Sequence, residues 1–130
     1  MRTILGTGID VIEVARIERA LTRPHTGERF RRRVYTEGEV RYCESRGMPR
    51  YQSYAARFAA KEAAMKAMGT GWNRNVGWNE IEVARERGRA PTIVVHGKTA
   101  EFARRKGIAR FHLSITHTRD EAIAHVIAEG

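Results

Sequence analysis

Glu62 and Lys66 place a carboxylate and an ammonium one helical turn apart in Arg57-Phe58-Ala59-Ala60-Lys61-Glu62-Ala63-Ala64-Met65-Lys66-Ala67-Met68-Gly69. At about 100° per residue, Ala55, Phe58, Ala59, Glu62, Met65 and Lys66 crowd one arc of a helix, and Arg57, Lys61 and Met68 fall roughly opposite. Charges in an apolar arc cost free energy unless something compensates them. An i,i+4 pair on a solvated face is the ordinary explanation of this spacing. The apolar neighbours put the pair on the side expected to be buried, which makes it a candidate site. Asp10, one of only two aspartates, follows Gly6-Thr7-Gly8-Ile9 and precedes Val11-Ile12, so its carboxylate emerges from a strand of small and apolar residues. Alone, Asp10 fits an edge position or a helix cap. Together with Glu62 it would offer two hard oxygen ligands, the usual way to hold Mg²⁺ while water and substrate phosphate complete the shell. Spacing by itself does not bring the two together.

Other signals are weaker. Gly6-Thr7-Gly8 and Gly69-Thr70-Gly71 lack the third glycine of a dinucleotide fingerprint and the Gly-Lys-Ser/Thr ending of a P-loop. Each reads as a turn, the second leaving room for a ligand to approach the backbone at a helix end. His117 ends the alternating run Ser114-Ile115-Thr116-His117, a place where surface or capping histidines are common, and no nucleophile elbow accompanies it. His25, His96, His112 and His125 are too scattered for a metal cluster. Arg16, Arg19 and Arg23 recur at i, i+3 and i+7, with Arg29 and Arg31 to Arg33 soon after. That is either a solvated basic face or a docking surface for something acidic.

These residues need elements to position them. Thr3 to Ile12 reads as a strand, and Glu13 to Thr22 as a helix with Val14, Ile17 and Leu21 on one face. Pro24 ends it, and a short basic helix over Gly27 to Val34 follows. Thr36 and Glu39 have capping-box spacing for a helix to about Arg46. The central helix runs from Tyr51 to Met68 and closes at Gly69. A loop with Trp72 and Trp78 leads to a hairpin of Glu80 to Arg85 and Thr92 to His96. A helix over Lys98 to Lys106 and a final hairpin of Arg110 to Thr116 and Ala122 to Ala128 complete an α+β fold with a largely antiparallel sheet.

With 130 residues, 42% of them aliphatic, aromatic or cysteine, the chain reads as a single domain over 1–130 with a real core. No segment reads as a signal peptide or membrane span, because the apolar stretch from Ile4 to Val14 is short and broken by Asp10 and Glu13. A lone cysteine, Cys43, excludes an internal disulfide framework and points to a reducing, cytoplasmic setting. Twenty-four basic residues against 15 acidic ones give a net charge of +9, and all but Lys61, Lys66, Lys98 and Lys106 are arginine. Such a chain seeks anions: nucleic acid, phosphorylated small molecules or an acidic protein. A basic nucleic-acid-binding α+β module is the alternative reading, but no aromatics interleave with the arginine stripe and no RNA-recognition or zinc-finger signature is present. A metal-dependent nuclease or phosphatase would use the same carboxylates with water as nucleophile.

Three blocks resemble the holo-[acyl-carrier-protein] synthases, the short bacterial 4′-phosphopantetheinyl transferases. They are Gly8-Ile9-Asp10-Val11-Ile12-Glu13 leading to Arg16-Ile17, Arg57 to Ala63 leading to Lys66-Ala67 and Gly69-Thr70-Gly71, and Ser114-Ile115-Thr116-His117-Thr118. The resemblance covers nearly the full length. It implies transfer of 4′-phosphopantetheine from coenzyme A to a serine of an apo acyl carrier protein, releasing adenosine 3′,5′-bisphosphate, in support of fatty acid biosynthesis. It further implies Mg²⁺ on Asp10 and Glu62, Lys66 near the reacting phosphates, and Arg57 and His117 at coenzyme A, with Gly69 and Gly71 in the same block. Arg16 matches a residue that engages the carrier, and Arg19 and Arg23 extend the stripe that would face an acidic carrier protein. The serine proton has two acceptors open to it, Glu62 or a water on the metal. The resemblance also implies a homotrimer with active sites between subunits. The chain departs from the family in the Trp72 to Trp78 loop and in Tyr35-Thr36, where many relatives have Leu-Thr.

Overall fold

The computed structural model describes residues 3–71, 73, 75–85 and 88–130. In order, it contains β1 (Ile4–Glu13), α1 (Val14–Thr22), α2 (Gly27–Val34), α3 (Glu37–Glu44), α4 (Arg50–Ala67), a 3₁₀ turn (Trp78–Glu80), β2 (Ile81–Ala84), β3 (Thr92–Val95), α5 (Gly97–Arg105), β4 (Arg110–His117) and β5 (Glu121–Glu129). The expected elements are all present, with ends moved by one or two residues. Trp72, in the loop that departs from the family, lies outside the described residues.

The strands do not form one sheet. β1, β5 and β4 make an antiparallel sheet with β5 central, and β2 pairs with β3 as a separate hairpin. Alternation identifies a strand but not its sheet, which depends on what covers its faces. One face of the larger sheet carries Gly6, Gly8, Asp10 and Ile12 beside Ala122, Ala124, Val126 and Ala128, and α4 lies against it.

Small residues on both sides bring helix and sheet close. A side chain at Gly8 would meet the Ala63 carbonyl and the Lys66 Cβ, and one at Gly6 the Ala67 carbonyl. Gly8→Ala is therefore expected to cost about 1–3 kcal/mol, the usual penalty for overpacking. Urea denaturation would measure it, and an unchanged midpoint would contradict the close packing of β1 on α4.

The helix itself requires a correction. Periodicity puts Arg57, Lys61 and Met68 opposite the core, yet all three are buried, while Glu62 is half-buried and Lys66 exposed. The reason is that α4 is enclosed by β1, β5 and β4 on one side and by α1, α3 and β2 on others. Such a helix has almost no solvated face for an amphipathic wheel to find. Lys61 is fully buried with Glu39, its Nζ 2.8 Å from Oε1. It also donates to the Trp78 carbonyl at 3.0 Å and to that of Ile81. Burial lowers the Lys61 pKa, and the Glu39 carboxylate opposes that shift. Glu39 additionally completes the expected capping box with Thr36 and accepts from the Val83 backbone N–H at 2.8 Å. One ion pair thus fastens α3, α4 and the start of the hairpin together. Tyr35 is also core: its hydroxyl donates to the Tyr54 carbonyl at 2.9 Å.

Candidate active site

β1 and α4 bring Asp10, Glu62 and Lys66 to one place. Asp10 lies opposite Ala124 on the face against α4, two residues beyond Gly8, where the backbones are closest. The Lys66 ammonium donates to the Ile9 carbonyl at 2.9 Å and to Asp10 Oδ1 at 3.2 Å. The Asp10 side chain is 17% exposed and that of Lys66 51%, so the cluster opens to solvent and is not sealed in the core. The Glu62 carboxyl is raised above its ordinary value by burial and by the Asp10 charge, against the lowering influence of Lys66 and Arg16.

Two carboxylates repel, and the nearby cations offset that repulsion only in part. A divalent cation fits such a donor set. Among the described residues, no group of three or more His, Cys, Asp or Glu gathers. A metal here would therefore take its remaining ligands from water or substrate oxygens, as Mg²⁺ commonly does.

Arg57 and His117 meet elsewhere. They line a cavity of about 530 Å³ together with Arg46, Arg85, Tyr42 and Ser114. Among the described residues no carboxylate lines it, and four side chains able to carry positive charge face the same space. Arg46 and Arg85 escaped sequence reasoning because they follow α3 and β2, far apart in the chain, and nothing in their local spacing signals convergence.

Asp10, Glu62 and Lys66 do not line this cavity. Along α4, Arg57 and Lys66 are separated by a rise of about 13 Å and by about half a rotation, so within one chain the two groups look in different directions. Gly69 follows α4 at φ +79° and shares a groove of about 390 Å³ with Lys66, Gly6 and Thr7. Gly71 is exposed with open space around it. Arg16, Arg19 and Arg23 are exposed along and just beyond α1, with Arg16 close enough to act on the Glu62 charge.

The family model of the 4′-phosphopantetheinyl transferase superfamily matches residues 6–124. A holo-[acyl-carrier-protein] synthase of Koribacter versatilis is 52% identical, over 97% of this chain and 98% of that protein. One from Anaeromyxobacter dehalogenans is 51% identical, over 98% of this chain and 97% of its own length. The crystal structure of the Neisseria meningitidis synthase superposes with a TM-score of 0.87 at 31% identity, covering 98% of this chain and all of that one (100%). The Bacillus anthracis synthase, solved in complex with CoA (3′,5′-ADP), gives 0.79 at 34% identity, covering 98% and 97%. Fold, length and sequence agree, and the chain belongs to the 4′-phosphopantetheinyl transferase superfamily, among its holo-[acyl-carrier-protein] synthases.

Proposed function

We propose that this protein transfers 4′-phosphopantetheine from coenzyme A to a serine of an apo acyl carrier protein, leaving adenosine 3′,5′-bisphosphate. The observation that carries the reading is the meeting of Asp10, Glu62 and Lys66 at the β1–α4 contact. Asp10 and Glu62 would hold Mg²⁺, which when bound supplies charge neutralisation at the pyrophosphate. The serine hydroxyl forms a bond to the β-phosphorus as the bond from that phosphorus to the bisphosphate oxygen breaks. Lys66 stabilises the negative charge that gathers on the phosphoryl oxygens and leaving group, the electrostatic role common to phosphoryl transfer. The serine proton would go to Glu62 or to a water held in the cluster. Gly69 and Gly71 leave the backbone beyond α4 open to the substrate.

Arg57 and His117, with Arg46 and Arg85, would hold the anionic nucleotide end of coenzyme A. Because that cavity and the carboxylate cluster look in different directions within one chain, a complete site takes one group from each of two subunits. A homotrimer supplies this arrangement. The sheet face away from α4 favours self-association: Ile9 and Val11 are 58% and 53% exposed, beside Ile123 and Ile127. Apolar patches of this kind mark interfaces. Light scattering is expected to give three times the chain mass, and a monomer would remove the shared site.

The arginine stripe Arg16, Arg19, Arg23 would steer an acidic carrier. Arg19→Glu is expected to lower kcat/KM for the carrier about ten-fold at low salt. The difference should shrink as salt screens it, and a salt-independent defect would contradict steering. The domain over 1–130 would act in the cytoplasm in support of fatty acid biosynthesis; among the described residues no helix is long and apolar enough to cross a membrane. The test of the reaction itself is release of adenosine 3′,5′-bisphosphate from coenzyme A. Release that requires an apo carrier bearing its serine supports transfer, and equal release without the carrier would make the protein a hydrolase.

A further inference from the structure

Arg57 is held in an unusual way for a buried cation. It is 5% exposed, its Nη1 makes a long hydrogen bond of 3.4 Å to the Ser53 carbonyl, and its buried Nε has no partner among the described residues. A buried guanidinium with so little in-plane bonding is poorly compensated. Its face, however, is covered: Cζ stands 4.2 Å from the centroid of the Tyr42 ring. The same ring carries a second guanidinium, Arg46, at 5.7 Å. Tyr42 sits on α3, Arg46 lies just beyond the end of that helix, and Arg57 projects from α4, so one aromatic side chain joins cations from two parts of the fold. All three line the cavity that also contains Arg85 and His117.

Guanidinium groups stack on aromatic faces and keep their N–H edges free for in-plane bonding to phosphate. A ring that occupies the face of Arg57 therefore selects which edge reaches the cavity. We propose that Tyr42 is a positioning residue for anion capture, orienting Arg57 and Arg46 as a pair so that together they grip one phosphate group of the nucleotide end of coenzyme A. The inference rests on the assignment of this cavity to coenzyme A. It adds to that assignment a residue which itself carries no charge and acts through the two arginines. The part of Tyr42 that matters is its ring, not its hydroxyl. Removing the ring should therefore weaken binding while leaving the chemical step, carried by the separate cluster on β1 and α4, unchanged.

The experiment measures binding of adenosine 3′,5′-bisphosphate by calorimetry, and steady-state transfer, for the unaltered protein, Tyr42→Phe and Tyr42→Leu. Tyr42→Phe is expected to stay within two-fold of the unaltered protein, while Tyr42→Leu raises Kd and the KM for coenzyme A by about ten-fold, the scale of a well-formed cation–π contact, with kcat retained. If Tyr42→Leu does not fold, as judged by its thermal transition, Tyr42→Met takes its place with the same expectation. Equal Kd in the ring-free variant and the unaltered protein would overturn the role of Tyr42 while leaving the transferase reading intact. A loss of kcat and melting temperature without a rise in KM would reduce Tyr42 to packing. Failure of the unaltered protein to bind the bisphosphate would remove the cavity's assignment, and the role of Tyr42 with it.

Discussion

Replacing Glu62 by glutamine is expected to stabilise the metal-free protein and to remove most of its activity. The two effects have one origin. Burial and the Asp10 charge raise the folded-state pKa of Glu62 above the ordinary 4.5, so its ionised form is less comfortable in the folded chain than in the unfolded one. For such a group the favourable contribution is complete below the unfolded pKa and is lost as pH rises through the folded one. Glu62→Gln keeps the shape and never ionises, so it should melt higher than the unaltered protein at neutral pH, with the difference vanishing below about pH 4. Added Mg²⁺ should then raise the melting temperature of the unaltered protein, because a ligand that binds only the folded state stabilises it, and should do little for the variant. Transfer should fall by about 10²–10³-fold, because the cation that would neutralise transition-state charge is lost with its ligand. Full activity in Glu62→Gln would end the metal assignment, and a lower neutral-pH melting temperature would contradict the electrostatic account of the pair.

Lys61→Met is expected to be the most destabilising single change in the molecule. It leaves Glu39 buried beside an apolar side chain, and breaking one half of a buried pair costs about 3–5 kcal/mol. The Trp78 and Ile81 carbonyls also lose their donor, which loosens the entry to the β2–β3 hairpin. Adding Glu39→Gln removes the stranded charge but keeps an amide oxygen for the Val83 N–H. The double variant should therefore recover a large part of the loss. Urea denaturation of the two single variants and the double variant measures the coupling. Additive losses would show that Glu39 and Lys61 act independently.

The same two residues show where sequence reading succeeds and where it stops. Thr36 and Glu39 were legible as a capping box, since that motif is local, and both of its hydrogen bonds are present. The further task of Glu39, pairing with Lys61, was not legible. The wheel assigned Lys61 to solvent because it presumes that one face of a helix is exposed, and α4 has almost none. The pair Glu62 and Lys66 was singled out as lying on the side expected to be buried, yet Glu62 is only half-buried and Lys66 is exposed. They stood out because a charge pair in an apolar arc suits the wall of a cleft better than a sealed core. Their neighbourhood is the wall of an open cluster with Asp10, reached because Gly8 lets β1 approach Ala63 and Lys66 closely. The anion cavity was legible only as Arg57 and His117. Tyr42, Arg46 and Arg85 join them from α3, the turn after it and the end of β2, a convergence made by tertiary packing that no local pattern announces.

On the proposed function, Asp10, Glu62 and Lys66 serve the transfer of phosphopantetheine from coenzyme A to a carrier serine. Mass spectrometry of an apo acyl carrier protein incubated with the protein, coenzyme A and Mg²⁺ tests it most directly. The account predicts a single phosphopantetheine adduct on the carrier serine, abolished by chelation of the metal and reduced to trace in Asp10→Ala. Absence of the adduct on every apo carrier offered, or an adduct formed equally well by Asp10→Ala, would contradict it.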